Sequence, residues 1–290
     1  MQLIANGFIA GSLYSLVALG FALIYGATRF FNFAHGAVYT AGAYLTYALI
    51  AYVHLPLLAA APIAVLLAAG LGLLTELGIF RPLRRKSSPP LILLIASLGL
   101  YILIQNVVSL AFGDDVKTLR DTPVHEGLLI FGARITEVQL LTLVVAMGLF
   151  IATTLVLSRA KFGKAIRAVA NDRDLAYVTG IDADRSIAIV YGLGSALAGV
   201  AAILISLDVD LVPTMGMNAL LMGAVATIIG GIGSIPGAAV GGLLLGLTQH
   251  LGGWKIGSQW QESIAFVVLL VFLLFRPYGV FGRKLRKAEI

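Results

Sequence analysis

The chain has no cysteine among its 290 residues. Disulfides, thiol catalysis and thiolate metal sites are therefore excluded. Charge is scarce too: Asp, Glu, Lys and Arg make up 12% of the residues, against roughly 25% in soluble domains. The four histidines stand apart at 35, 54, 125 and 250, with no metal-type spacing and no nucleophile or base arranged beside them, so neither a metal site nor an intramembrane enzyme is expected. No Gly-x-x-x-x-Gly-Lys-Ser/Thr run occurs, which removes ATP hydrolysis by a phosphate loop. Only Glu76 and Glu262 fall in the apolar segments, both near their edges. An ion-coupled secondary transporter would need carboxylates or a coupling-ion site within the membrane. The start of the chain has no basic stretch ahead of its first apolar run, so it reads as the opening of a span and not as a cleaved signal peptide.

What is present is apolar surface, at 59% of residues. Runs long enough to cross about 30 Å of hydrocarbon recur along the chain. They are continuous, not alternating, which excludes a β-barrel. The expected fold is all-α: one polytopic transmembrane bundle over residues 1–290, with eight to nine spans. The segments lie near 3–25, 36–54, 57–80, 91–112, 139–157, 186–206, 219–230, 237–252 and 260–275.

The net charge of +6 does not mark a nucleic-acid surface, because the cations sit at the ends of spans. Fifteen of the 20 Lys and Arg cluster in 81–86, 159–185 and 276–287. By the positive-inside rule these segments are cytoplasmic. The stretch 113–137, with five acids against three bases, is then the outer loop. Parity places the C-terminus inside. If 3–54 is a hairpin, it also places the N-terminus outside and Arg29 near an inner turn.

Two interruptions break the apolar pattern. Residues 30–38 interrupt the first hairpin. Residues 230–237, Gly-Gly-Ile-Gly-Ser-Ile-Pro-Gly, interrupt the late one, where Gly and Pro are too dense for a helix. Non-helical backbone at membrane depth must be buried by protein or border a wet cavity. The stretch 219–253 reads either as a re-entrant hairpin or as two short spans joined by a tight inner turn. Paired interruptions also point to an internal repeat and a central pathway. Gly233 and Gly237 are expected where the backbone turns sharply or packs against another helix.

Several polar residues carry two readings. Asn32 and His35 either satisfy backbone freed at the first break or line the pathway. Ser97, Gln105 and Asn106 are either glue between helices or a polar pathway wall. Glu76 beside Arg81 either closes a helix end as an ion pair or acts as a gate. Between the spans lies a hydrophilic island at 158–185. Its Ile166 and Val169 fall on a different helical face from Arg167 and Asn171. That pattern suits a short amphipathic helix docking on a soluble motor.

Taken together, four stretches resemble the inner-membrane permeases of branched-chain amino acid ABC importers, of LivH type. They are residues 20–36 (Gly-Phe-Ala-Leu-Ile-Tyr-Gly-Ala-Thr-Arg-Phe-Phe-Asn-Phe-Ala-His-Gly), Glu76 with Arg81-Pro82-Leu83-Arg84, residues 163–181, and the late Gly-rich turn. The resemblance implies that Gly163, Arg167, Ala168, Asp172, Ala176 and Gly180 belong to an ATPase-coupling loop. It further implies a second, LivM-like permease, two cytoplasmic subunits that bind ATP and Mg, and an external substrate-binding protein. The chain itself would hold no cofactor and be no enzyme. The same motifs serve relatives that carry urea, short amides and other small acids.

Overall fold

The computed structural model describes residues 1–120, 127–130 and 132–282. Residues 121–126 of the expected outer loop, together with Arg283, Lys284, Arg286 and Lys287 of the last basic cluster, lie outside the described residues. All nine apolar segments are helical. In chain order the helices are α1 (Gln2–Thr28), α2 (Ala34–Ala51), α3 (Leu57–Arg85), α4 (Pro90–Phe112), α5 (Glu137–Arg159), α6 (Lys161–Asn171), α7 (Arg173–Val178), α8 (Ala183–Asp208), α9 (Met215–Gly230), α10 (Ile235–Ile256) and α11 (Gln261–Phe275). One short hairpin, β1 (Leu128–Ile130) and β2 (Ala133–Ile135), precedes α5.

Local signals set several of these boundaries. Thr136 and Gln139 form a reciprocal capping box at the start of α5, satisfying two amides that the first turn leaves unpaired. Asp182 caps α8 by accepting from the Arg185 amide at 2.9 Å. Ser234 caps α10 by accepting from the Gly237 amide at 3.1 Å, with Pro236 in the first turn.

Among the described residues six helices are long and apolar enough to cross a membrane, or seven if the bent α9–α10 pair counts as one. That is fewer than the eight to nine spans expected. The difference has a physical reason in α2, which carries His35, three tyrosines and two threonines. It is mostly buried within the bundle, so it meets protein and needs no lipid-grade apolarity. The centre is α1, whose apolar window is 83% buried. It crosses α10 backbone to backbone: a Cβ on Gly11 would stand 2.8 Å from the Leu243 Cα. The Ser15 hydroxyl, on the same face, donates to the Ala239 carbonyl at 2.7 Å. Small residues allow this approach, and dispersion between the close backbones stabilises it. Helices α3, α4, α5 and α11 form the periphery, with less than a third of each window buried.

Helices α9 and α10 meet at 115°. A bend beyond a right angle turns the chain back, so the pair is a V. At about 1.5 Å per residue its arms are roughly 24 and 33 Å long.

The two ends of the bundle differ in charge. At one end Arg29 donates to the Ala170 carbonyl, and Arg81, Arg85 and Arg173 gather on Asp184. At the same end the Val280 and Phe281 amides donate to the Ile229 and Gly230 carbonyls, each at 2.9 Å. At the other end Lys117 and Leu211 pair through their backbones, Arg120 donates to the Asp208 carbonyl at 2.8 Å, and Gln2 bonds to the Arg134 backbone. The three basic clusters of the sequence therefore converge on one end, as far as their residues are described.

Candidate coupling end and pathway

The amphipathic island folds into α6 and α7, joined at Asp172. Helix α6 buries Gly163, Ile166 and Val169, the period of one helical face. The coupling residues implied by the resemblance prove to be the joints of this corner. At Gly163 a Cβ would stand 2.6 Å from both the Cα and the carbonyl oxygen of Leu157; only glycine lets α6 fold back so tightly on α5. Arg167 points back as well, donating to the Leu157 carbonyl at 2.6 Å and the Ser158 carbonyl at 3.4 Å. It thereby satisfies carbonyls that the last turn of α5 leaves open. Ala168 is half-buried and Ala176 buried. The Asp172 carboxylate accepts from the Leu175 amide at 2.9 Å, opening α7. Gly180 holds φ +82° where α7 ends.

The surface of the corner is made by other residues. Tyr177 and Val178 are 76% and 82% exposed, with Leu175 exposed beside them. They form a candidate contact surface at the basic end. The sequence reading missed these side chains. The available signal was apolar residues on both sides of Ala176 within an otherwise hydrophilic segment.

Behind the corner, the Asp184 carboxylate receives Arg81 and Arg85 at 3.1 Å each on one oxygen and Arg173 at 3.2 Å on the other. Three elements, the end of α3, α7 and the start of α8, are thus tied by one acid. The expected pairing of Glu76 with Arg81 is corrected here: Arg81 belongs to Asp184, and Glu76 pairs with Arg84 through both carboxylate oxygens, one of them at 2.9 Å. The cause is a π turn over Glu76–Phe80. The extra residue in that turn brings residue 84 onto the face of residue 76, two turns on, while Arg81 is drawn to Asp184 on α8. Pro82 follows it directly, and a proline ring clashes with the carbonyl four residues back unless the helix widens.

The Glu76–Arg84 pair is sealed, with side-chain exposures of 0% and 5%. Glu76→Ala is expected to destabilise the bundle by about 3–5 kcal/mol, because it strands a buried guanidinium. Glu76→Leu combined with Arg84→Leu is expected to recover most of that loss. Thermal unfolding of the native chain and the two variants in detergent checks it; equal stability of the single and double variants would contradict it.

The first break is tied to its neighbours by the residues singled out there. Asn32 is buried and accepts from the Ala34 amide at 3.1 Å, opening α2. Ser97, also buried, accepts from the Phe33 amide at 3.0 Å and donates to the Leu94 carbonyl at 2.7 Å, fastening the break to α4. His35 is buried where α1, α2 and α8 cross: the same small gap that receives its ring at Gly20 receives the Gly194 carbonyl. It lines none of the described cavities. The Asn106 amide is exposed on α4 and donates to the Ile102 carbonyl of its own helix at 2.7 Å, so it bridges no helices. Gln105 is half-buried beside it.

The late break divides its two glycines. Gly233 turns, with φ +85° and open space where a side chain would lie. Gly237 packs: a Cβ there would strike the Gly230 backbone, and one on Gly230 would strike Gly237. The two breaks meet. A cavity of about 430 Å³ is walled by Phe30 and Phe31 from the first, Ile232 from the second with Ile228 of α9 beside it, and Leu91 and Leu94 of α4.

The family described as "Branched-chain amino acid transport system / permease component" matches residues 3–275. The high-affinity branched-chain amino acid transport system permease protein BraD of Pseudomonas aeruginosa is 36% identical over 298 residues, covering 98% of this chain and 96% of its own. LivH of Escherichia coli, of the same description, is 34% identical over the same shares of each. A probable branched-chain amino acid transport permease protein LivH of Methanocaldococcus jannaschii is 27% identical over 99% of this chain and 94% of its own. No solved structure matches.

Proposed function

Because the chain belongs to the branched-chain amino acid transport system permease component family, we propose that it is the membrane-pathway subunit of an ABC importer for branched-chain amino acids. Its partners are a second, LivM-like permease, two cytoplasmic ATPases that bind ATP and Mg, and an external substrate-binding protein. The observation that carries this is the corner of α6 and α7. It sets an exposed apolar patch of Leu175, Tyr177 and Val178 at the basic end of the bundle, and its inner face packs on α5 and α1. A patch so placed receives a soluble motor and passes its movement to the helices behind it. Selectivity falls to the external protein. A zwitterion is costly to bury, so the pathway binds weakly and few fixed charges are needed along it.

The basic end is placed in the cytoplasm of a bacterial inner membrane by the positive-inside rule. The N-terminus then stands outside and the C-terminus inside. A cysteine at Lys117 is expected to react with an impermeant thiol reagent added outside, and one at Lys86 is not; the reverse pattern would invert the topology. The chain has no native cysteine, so labelling has no background.

The activity test is uptake. Proteoliposomes holding the full assembly are expected to accumulate labelled leucine, isoleucine or valine only with ATP on the cytoplasmic side and the binding protein outside. Exchange by this chain alone without ATP would refute the assignment.

A further inference from the structure

We propose that the cavity between the two helix breaks is a release-side subsite for a free aliphatic amino acid, with its carboxylate on Arg29 and its side chain among Phe30, Phe31, Leu94 and Ile228. The proposal rests on the permease reading above and adds a residue-level site to it. The cavity measures about 430 Å³, within the range of small-molecule sites. Its lining is aromatic and aliphatic apart from Arg29 and Tyr25. That is the chemistry of a ligand with one branched apolar end and one anionic end.

Arg29 is held in an unusual way. It caps α1 in the left-handed region, φ 58° and ψ 24°, with its amide on the Tyr25 carbonyl. That region disfavours a residue with a Cβ, and such strain clusters at functional positions when the surroundings enforce it. Here the enforcing contact is the Ala170 carbonyl of α6, which accepts from the Arg29 guanidinium at 2.5 Å. A guanidinium has five donors in a planar fork that fits a carboxylate, and Ala170 engages one nitrogen. The α-ammonium of the ligand is served by a helix end. Helix α1 finishes at this cavity, and its C-terminal dipole end favours a cation; the last carbonyls of α9 are already taken by the Gly231, Val280 and Phe281 amides.

The anchor of Arg29 belongs to the coupling helix. A shift of α6 therefore moves the cation that holds the carboxylate. Affinity for the leaving amino acid becomes a function of the nucleotide state, with no separate gate.

The test uses the complete membrane assembly in nanodiscs, without the external binding protein and without nucleotide. Binding of tritiated L-leucine is read by scintillation proximity. Saturable binding is expected, with L-leucinamide competing at least tenfold more weakly than leucine. Arg29→Gln is expected to weaken leucine at least tenfold and abolish the preference over leucinamide, and Arg29→Lys to restore part of it. Ile228→Trp, which fills the cavity, is expected to remove binding; if that variant does not assemble, Leu94→Phe is read in its place. No saturable binding at millimolar leucine, or unchanged binding in both the Arg29→Gln and the cavity-filling assemblies, overturns the subsite. Leucine uptake by the same wild-type assembly separates the two levels. Uptake without nanodisc binding rejects the subsite alone, whereas absence of both rejects the permease reading for this substrate class.

Discussion

Gly237→Leu is expected to bring uptake by the assembled complex to background, while Gly233→Leu keeps a substantial fraction of it and Val240→Leu stays near the native rate. The late Gly-rich turn contains two kinds of glycine, and they fail differently. At Gly237 the backbone of α10 lies against that of α9. A Cβ would sit 2.9 Å from the Gly230 carbonyl carbon and 3.0 Å from the Ser234 Cβ, with the Gly230 oxygen nearer still. Backbone cannot swing aside as a flexible side chain can. Overpacking a tight contact costs about 1–3 kcal/mol even for small additions, and a leucine adds three further carbons. The remaining escape is to open the V of α9 and α10, which carries Ile228 and Ile232 away from the first break. At Gly233 nothing lies within 4 Å of a built Cβ. The cost there is the backbone alone, about 1–2 kcal/mol for a side chain at φ +85°. Val240 is half-buried within α10, and the exchange for leucine is a small volume change. Uptake normalised to assembled complex reads all three. Native uptake by Gly237→Leu would mean that the α9–α10 crossing has no part in the pathway.

The helices were legible because apolarity is a bulk property of a segment. Each of the nine apolar runs is a helix, and the island and the two breaks have structural counterparts. What could not be read was which atoms meet across sequence distance. Nearness along the chain matches Glu76 to Arg81, but Asp184 of α8 takes Arg81, and the π turn sets Arg84 on the face of Glu76. Arg167 looked like a docking charge because it lies opposite Ile166 and Val169. The corner at Ala160 folds α6 back, so the guanidinium closes the end of α5 instead. Leu175, Tyr177 and Val178 looked unremarkable because apolar residues in a helix are ordinarily its inward face; they are outward here because α7 has only six residues and Ala176 takes the inward position. Polarity misled at Asn106, which turns to its own helix, and at α2, whose tyrosines and threonines fit a helix surrounded by protein.

A helix corner that transmits force needs a firm inner face and a sticky outer one. Gly163, Arg167 and Asp172 build the first, and Leu175, Tyr177 and Val178 form the second. Substitutions can separate them. Arg167→Glu puts a carboxylate against the Leu157 carbonyl, so it loosens the corner itself and is expected to lower stability as well as turnover. Tyr177→Asp with Val178→Asp touches side chains that are mostly solvated in the chain alone, so the bundle is expected to keep its stability within about 0.5 kcal/mol per site. If the corner docks on the ATPase as proposed, the same pair would bury two carboxylates at that contact, a change of the class that costs several kcal/mol at an interface centre. The decisive measurement is ATP turnover by the reconstituted assembly, with and without substrate-loaded binding protein, in the Tyr177→Asp, Val178→Asp variant. Loss of the stimulated turnover, with an intact and thermally unchanged membrane bundle, is the result expected if the α6–α7 corner couples the motor to the pathway; native stimulation in that variant would contradict it.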